Sequence, residues 1–213
     1  MKKIIYPAQQ EYILSFINQK SKLIKSIENF AKENNIPILS KDASEFLEQI
    51  ISINQPKKVL EVGTAIAYSS IRIAKLLKPS SVLMTIEKSK DNIKLASTFI
   101  KKAKLTRRIK ILEGDAADII PKIKNKFDFI FLDADKEDYL NLYKLSLNKL
   151  KKGGIIFVDN VLWQGFTAAK KVPKKYKRST EHIREFNDHF MNTKSLKSVL
   201  LPIGDGIGLG LKI

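Results

Sequence analysis

Acids fall at the ends of five apolar runs in this 213-residue chain. They are Glu61 in VLEV, Glu87 closing SVLMTIE, Asp115 after IKIL, Asp133 closing FDFIFLD and Asp159 closing GIIFVD. One such acid is commonplace. Polar groups at every run end line a single crevice with carboxylates, the place where open parallel sheets hold their ligands. Glu87 stands 24 residues past Gly63, close to the offset of about 20 at which an acid takes ribose hydroxyls. Pyrophosphate binding calls for three glycines in the preceding turn, and here Ala65 and Ala67 follow Gly63. A dinucleotide is therefore disfavoured, and a nucleoside cofactor without phosphates fits better.

Asp133, Asp159 and Asn160 form a second group of donors. Two carboxylates and an amide oxygen are hard ligands, suited to Mg²⁺ or Ca²⁺ rather than zinc. Spacing alone also admits a plain pair of carboxylates held by backbone donors. His182 and His189, seven apart on one helical pattern, read as surface or core histidines rather than ligands.

The elements that must position these groups follow from apolar periodicity. Residues 8–35 read as helical, with Ile13, Phe16, Ile17, Leu23, Ile24, Ile27 and Phe30 inward and Lys20, Lys22, Lys25 and Lys32 on a solvated face. Pro37 breaks the chain. A second helix follows, capped by Ser40 or Asp42, with Ala43, Phe46, Leu47, Ile50 and Ile51 as its stripe and Pro56 as its stop. From there strands alternate with helices over 69–77, 90–104, 116–124 and 137–150. After Asp159 a polar loop is expected to about Ser179, then a helix carrying Ile183, Phe186 and Phe190. The end forms a hairpin around Gly204-Asp205-Gly206. The expected fold is α/β: a seven-stranded, mostly parallel sheet with a C-terminal antiparallel hairpin and helices on both faces. One domain spans 1–213, with N-terminal helices to residue 55 and the core over 56–213.

Hydrophobic residues make up 44% of the chain and cysteine is absent, so disulfides and thiolate metal sites are excluded. No stretch approaches the roughly 20 apolar residues of a membrane span, and no signal-peptide core follows the first lysines. A cytoplasmic protein is expected. The net charge of +17 attracts polyanions, nucleic acid first, although a lysine-rich composition would give the same total.

LEVGTAIAYSS, TIEKS, EGDAAD, FDFIFLDADKEDY, GGIIFVDNVLWQG and LPIGDGIGLGLKI together resemble the caffeoyl-CoA/catechol O-methyltransferase family of cation-dependent, S-adenosylmethionine-using enzymes, over about residues 36–213. The resemblance implies a Rossmann-like class I methyltransferase and a homodimer. It places Glu61, Gly63, Tyr68 and Ser69 around the methionine moiety, Glu87 on the ribose, Asp115 and Ala116 beside adenine, and Leu39 closing over the cofactor. Asp133, Asp159 and Asn160 become ligands of Mg²⁺ or another divalent cation, Asp133 also bordering the cofactor. Lys136 matches the general base of the catechol branch, its role resting on proximity to the metal. Ala67 departs from the family's usual glycine and is expected to tighten the cofactor turn.

Within that family, the bacterial branch acting on 5-hydroxyuridine at the tRNA wobble position is similar in length and basic character. The 5-hydroxyl and O4 of that base form a chelating oxygen pair, as do the two hydroxyls of a catechol. Lys170, Lys171, Lys174, Lys175, Lys177 and Arg178 follow the metal ligands with no acid among them, and suit phosphate binding to a tRNA anticodon stem-loop. A solvated loop would look the same. Trp163 and Phe166 suit either base stacking or plugging the core beneath that loop. A small-molecule catechol or phenolic O-methyltransferase, and a catalytically silent RNA-binding module, are the competing readings.

Overall fold

Alternation along one central strand sets the two layers of this protein. In β1 (Lys58–Val62), Val59 joins one buried cluster while Leu60 and Val62 join the other, as the two-residue period of a strand requires. The computed structural model describes residues 5–18 and 21–213. The remaining strands are β2 (Val82–Glu87), β3 (Ile109–Glu113), β4 (Phe127–Leu132), β5 (Leu150–Val158), β6 (Leu196–Leu201) and β7 (Ile207–Lys212). They form one seven-stranded sheet in the order β3-β2-β1-β4-β5-β7-β6. Strands β1 to β5 pair in parallel, and β7 runs antiparallel to both β5 and β6. The mostly parallel sheet with its terminal hairpin is the expected architecture.

Helices α1 (Pro7–Ser15), α2 (Lys22–Glu33), α3 (Lys41–Asn54), α4 (Tyr68–Leu76) and α5 (Lys90–Lys102) precede β3. The first cluster gathers Ile24 and Ile27 of α2, Leu47 and Ile51 of α3 and Ile71 of α4 against Val59, Phe129 and Phe157. On the other face α6 (Ala116–Lys122), α7 (Tyr139–Lys149) and α8 (Lys174–Asn192) pack Ile120, Tyr143 and Phe186 against Leu60, Ile130 and Ile156.

Two expectations need correction. The single helix over 8–35 is two helices, because Ser21 opens α2 as an N-cap, accepting from the Ile24 amide at 3.4 Å. No residue of α1 is buried, and Lys20 lies outside the described residues. The loop expected to Ser179 ends earlier. A 3-10 segment covers Trp163–Ala168 and α8 begins at Lys174, so Lys174, Lys175, Lys177 and Arg178 are helical. Tyr176, seven residues before Ile183 on the same face, stacks on Phe166 with ring centroids 4.9 Å apart. That aromatic contact carries the helix back into the lysine-rich stretch. Phe166 is buried there and so plugs the core, unavailable for stacking on a base.

Candidate active site

β1 lies between β2 and β4, so chain connections diverge on either side of it and leave a crevice beyond its carboxyl end. The register brings Val62, Leu132 and Val158 level. The Asp133 amide donates to Val62 O at 2.9 Å and the Asp159 amide to Leu132 O at 3.1 Å. The residues just past three adjacent strands therefore sit side by side. Gly63 there has φ +101, a region open to glycine and strained for other residues.

A cavity of about 890 Å³ occupies this crevice. Gly63, Glu87, Asp115, Ala116, Asp133, Lys136, Asp159 and Asn160 stand on its wall. Glu87 accepts from the Ala65 amide on Oε2 and the Ser89 amide on Oε1, both at 2.9 Å, which fixes its carboxylate in the turn. Asp115 caps α6, accepting from the Ala117 amide at 2.8 Å.

Leu39, Glu61, Tyr68 and Ser69 lie behind this wall. Glu61 pairs in register with Thr85 and Phe131, and alternation turns its side chain under α4 rather than into the crevice. It is fully buried, accepting from Ser69 Oγ at 2.6 Å and from Ser70 Oγ. Burial pushes its carboxyl up to about 7, and the serine hydroxyls oppose that rise only in part. Tyr68 donates its hydroxyl to Glu28 Oε1 at 2.8 Å and accepts from Arg72 Nη1 at 2.8 Å. Leu39 is packed within the first hydrophobic cluster, while its neighbours Pro37 and Ile38 reach the cavity. Ala67 takes a left-handed conformation (φ 66, ψ 28) as N-cap of α4, where the missing glycine would relax strain of about 1 kcal/mol.

The second sector of the wall is acidic and crowded. Burial, then the neighbouring Asp133 charge, hold the Asp159 carboxyl well above the usual carboxylate range. Asp159 Oδ1 is buried with no hydrogen-bond partner. No group of three His, Cys, Asp or Glu side chains with metal-holding spacing occurs among the described residues; the third oxygen donor is the amide of Asn160. A buried orphan oxygen beside a second carboxylate is the arrangement that a hard divalent cation would satisfy. Asn160 adopts φ 58, tolerated by its short polar side chain.

Asp205, in the turn before β7, was not among the sequence candidates yet lines the cavity. It accepts from Asn160 Nδ2 at 3.2 Å and from the Gln164 amide, so it orients the Asn160 amide. The signal was an acid between two glycines in a hairpin that folds back beside Asp159. Lys136 Nζ donates to Asp133 Oδ1 at 3.4 Å and Ala134 O at 3.1 Å, and lies over the rings of Tyr139 and Trp163.

The six cations expected to meet RNA are not on the wall. Arg178 Nη2 pairs with Glu137 at 2.7 Å, however, and both Glu137 and Ser179 line the cavity. The first turns of α8 thus stand at its rim. Among the described residues no helix is long and apolar enough to cross a membrane.

A sequence model of the O-methyltransferase family matches residues 15–213. Caffeoyl-CoA O-methyltransferase 2 of Petunia hybrida is 32% identical over 188 residues, covering 84% of this chain and 78% of its own. Caffeoyl-CoA O-methyltransferase 1 of Arabidopsis thaliana is 32% identical over 188 residues, with 84% and 73% covered. In fold, the chain is similar to an O-methyltransferase from Bacillus cereus solved with SAH, at TM-score 0.84 and 24% identity over 96% of this chain and 97% of that one. It is also similar to TomG of Streptomyces achromogenes solved with SAM, at TM-score 0.83 and 24% identity over 100% and 99%.

Proposed function

Because the chain belongs to the O-methyltransferase family, we propose that the cavity at the strand tips moves a methyl group from S-adenosylmethionine to a hydroxyl oxygen. One observation carries this reading. Two chemically distinct sectors, Glu87 with Asp115 and Asp133 with Asp159 and Asn160, share a single cavity. The first suits a nucleoside, with the anchored Glu87 keeping acceptor lone pairs for ribose hydroxyls and Ala116 offering a small apolar contact to the base. Glu61, Tyr68, Ser69 and Leu39 support that turn from behind. The second suits Mg²⁺ or another divalent cation on Asp133, Asp159 and Asn160.

When bound, the cation supplies Lewis acidity that lowers the pKa of an adjoining hydroxyl, and the sulfonium cofactor supplies an electrophilic methyl. The chain's own residues do the rest. Lys136 Nζ, held between Asp133 and the Ala134 carbonyl, takes the hydroxyl proton when it is the neutral amine, and as the ammonium it stabilises the oxyanion instead. Asp205 keeps the Asn160 amide oriented, and Gly63 lets the turn after β1 close against the Asp133 carbonyl so that the two sectors meet. Most of the rate gain is positioning of oxygen and methyl in line.

In this reading the acceptor is the 5-hydroxyl of 5-hydroxyuridine at the tRNA wobble position. The Arg178–Glu137 pair supports it, since it ties the cationic start of α8, with Lys174, Lys175 and Lys177, to the rim; Lys170 and Lys171 precede it. A catechol or phenolic acceptor is the second reading, favoured by Trp163 and Leu142 on the wall, which offer apolar surface to a ring. A homodimer fits the exposed Tyr6, Tyr12 and Phe16 at α1, and on this reading the reaction is cytoplasmic. Incubation with labelled S-adenosylmethionine, Mg²⁺ and either hydroxylated tRNA or catechol, with and without chelator, tests both. Label in tRNA alone supports the first acceptor, label in catechol alone the second, and label in neither refutes the site.

A further inference from the structure

The +17 charge is not confined to the cationic start of α8 at the cavity rim. Carboxylates gather at the carboxyl ends of the strands. The opposite ends are entered through cationic segments: 101–110 reads KKAKLTRRIK, 122–126 reads KIKNK and 149–152 reads KLKK, with no acid in any of them. A lysine-rich composition raises the total charge but does not by itself leave three acid-free cationic segments at one end of the sheet.

Part of this charge caps helices. Arg108 donates to the Lys78 carbonyl at 2.6 Å, Lys149 to those of Pro121 and Ile123 at 3.0 and 2.6 Å, and Lys212 to that of Leu150 at 2.9 Å. Such bonds suit the negative ends of helix dipoles, yet neutral carbonyls leave the cationic charge uncancelled. Lys151 pairs with Asp128 at 2.6 Å, whereas Lys104, Arg107, Lys124 and Lys152 are exposed and form no ion pair among the described residues. The segments enter β3, β4 and β5 of the run β3-β2-β1-β4-β5, and exposed Lys78 before β2 with Lys57 and Lys58 at the start of β1 fills the interval between them. At about 4.8 Å per strand they make a cationic row about 20 Å long.

We propose that this amino-terminal end of the sheet is a second RNA-contacting surface, holding the phosphate backbone of a double-helical stem without reading its sequence. It rests on the tRNA reading for the identity of that RNA, and lies one strand length, about 20 Å, behind the methyl-transfer cavity. RNA is favoured over an anionic membrane because the three segments present exposed charge with none of the exposed large apolar side chains among them, the pattern of a phosphate-binding row rather than of an inserting face. Ile53, Leu211 and Ile213 stand outside them.

The test combines Lys104→Glu, Arg107→Glu, Lys124→Glu and Lys152→Glu in the full chain. Fluorescence anisotropy then reads binding to a tRNA transcript and to a plain RNA duplex across a salt series. Affinity for both should fall by about tenfold or more, and the slope of log K against log salt by about 3.6, near 0.9 for each of the four phosphates no longer neutralised. A matching set of glutamine substitutions keeps the test open should charge reversal impair folding. Protection of Lys104, Lys124 and Lys152 from acetylation by bound duplex needs no variant at all. Unchanged RNA affinity in a folded variant, or absence of that protection, overturns the proposal. So does binding to phosphatidylserine vesicles that is lost in the variant while RNA binding persists. If wild-type protein fails to methylate hydroxylated tRNA but the variant still loses duplex affinity, the acceptor reading falls and this surface stands.

Discussion

A Cβ added to Gly63 would lie 1.8 Å from the carbonyl oxygen of Asp133. The turn after β1 and the tip of β4 are thus in backbone contact, and the nucleoside sector and the acidic sector meet there. Gly63→Ala must push the two strand tips apart at a residue with φ +101. We expect a loss of at least about 2 kcal/mol in stability, by analogy with overpacked cores, and loss of S-adenosylhomocysteine binding. Urea denaturation and calorimetric titration measure the two effects.

Glu61 makes stability depend on pH. Its carboxyl rises from 4.5 to about 7 on burial, so between those values the folded chain keeps a proton that the unfolded chain has released. Stability therefore declines as pH rises from the lower value to the upper and is flat above it. The full difference is on the order of 3 kcal/mol. Glu61→Gln, with Ser69 and Ser70 free to reorient their hydroxyls, should remove that slope. Denaturation of both proteins at pH 5 and pH 8 checks it; parallel curves would contradict the assignment.

Much of the cavity wall was legible because β-strand periodicity is a strong signal. Acids closing apolar runs had to emerge at one sheet edge, and Glu87, Asp115, Asp133 and Asp159 stand together on the wall. Glu61 sits inside the run, where alternation turns it under α4 toward Ser69 and Ser70, so its place behind the wall was not legible from its being an acid. Asp205 was hidden by sequence distance, since only the antiparallel return of β7 beside β5 brings it to Asn160. The start of α8 was obscured by charge: lysines from 170 onward read as loop, and the Tyr176–Phe166 stack that anchors the helix joins residues in different elements.

Arg72 ties the N-terminal helices to the cofactor turn. It is buried on α4, donates to Glu45 and Glu48 of α3 at 2.6 Å each, and reaches Glu28 of α2 through the Tyr68 hydroxyl. Arg72→Met leaves those acceptors without their donor. Both glutamates are partly exposed, so we expect a loss of about 3 kcal/mol, at the low end for broken buried pairs. Urea denaturation measures it, and a loss under about 1 kcal/mol, the range of an exposed pair, would show that water replaces the guanidinium.

Asp159 carries opposite effects with and without a cation. Its carboxylate is buried near Asp133 with an unpaired oxygen, so Asp159→Asn should raise the melting temperature in chelator. Wild-type protein should gain about 2.7 kcal/mol of stability at a Mg²⁺ concentration about 100 times its Kd, and the variant should gain almost none. Melting curves with and without Mg²⁺ measure both. Equal gains in the two proteins would remove Asp159 from the cation site.

The most direct measurement is transfer of labelled methyl from S-adenosylmethionine to an acceptor bearing neighbouring oxygens, made on wild-type protein and Asp133→Ala, each with Mg²⁺ and with chelator. Cation-assisted transfer at the strand tips predicts turnover only in wild-type protein with Mg²⁺. Undiminished turnover in chelator, or in Asp133→Ala, would contradict it.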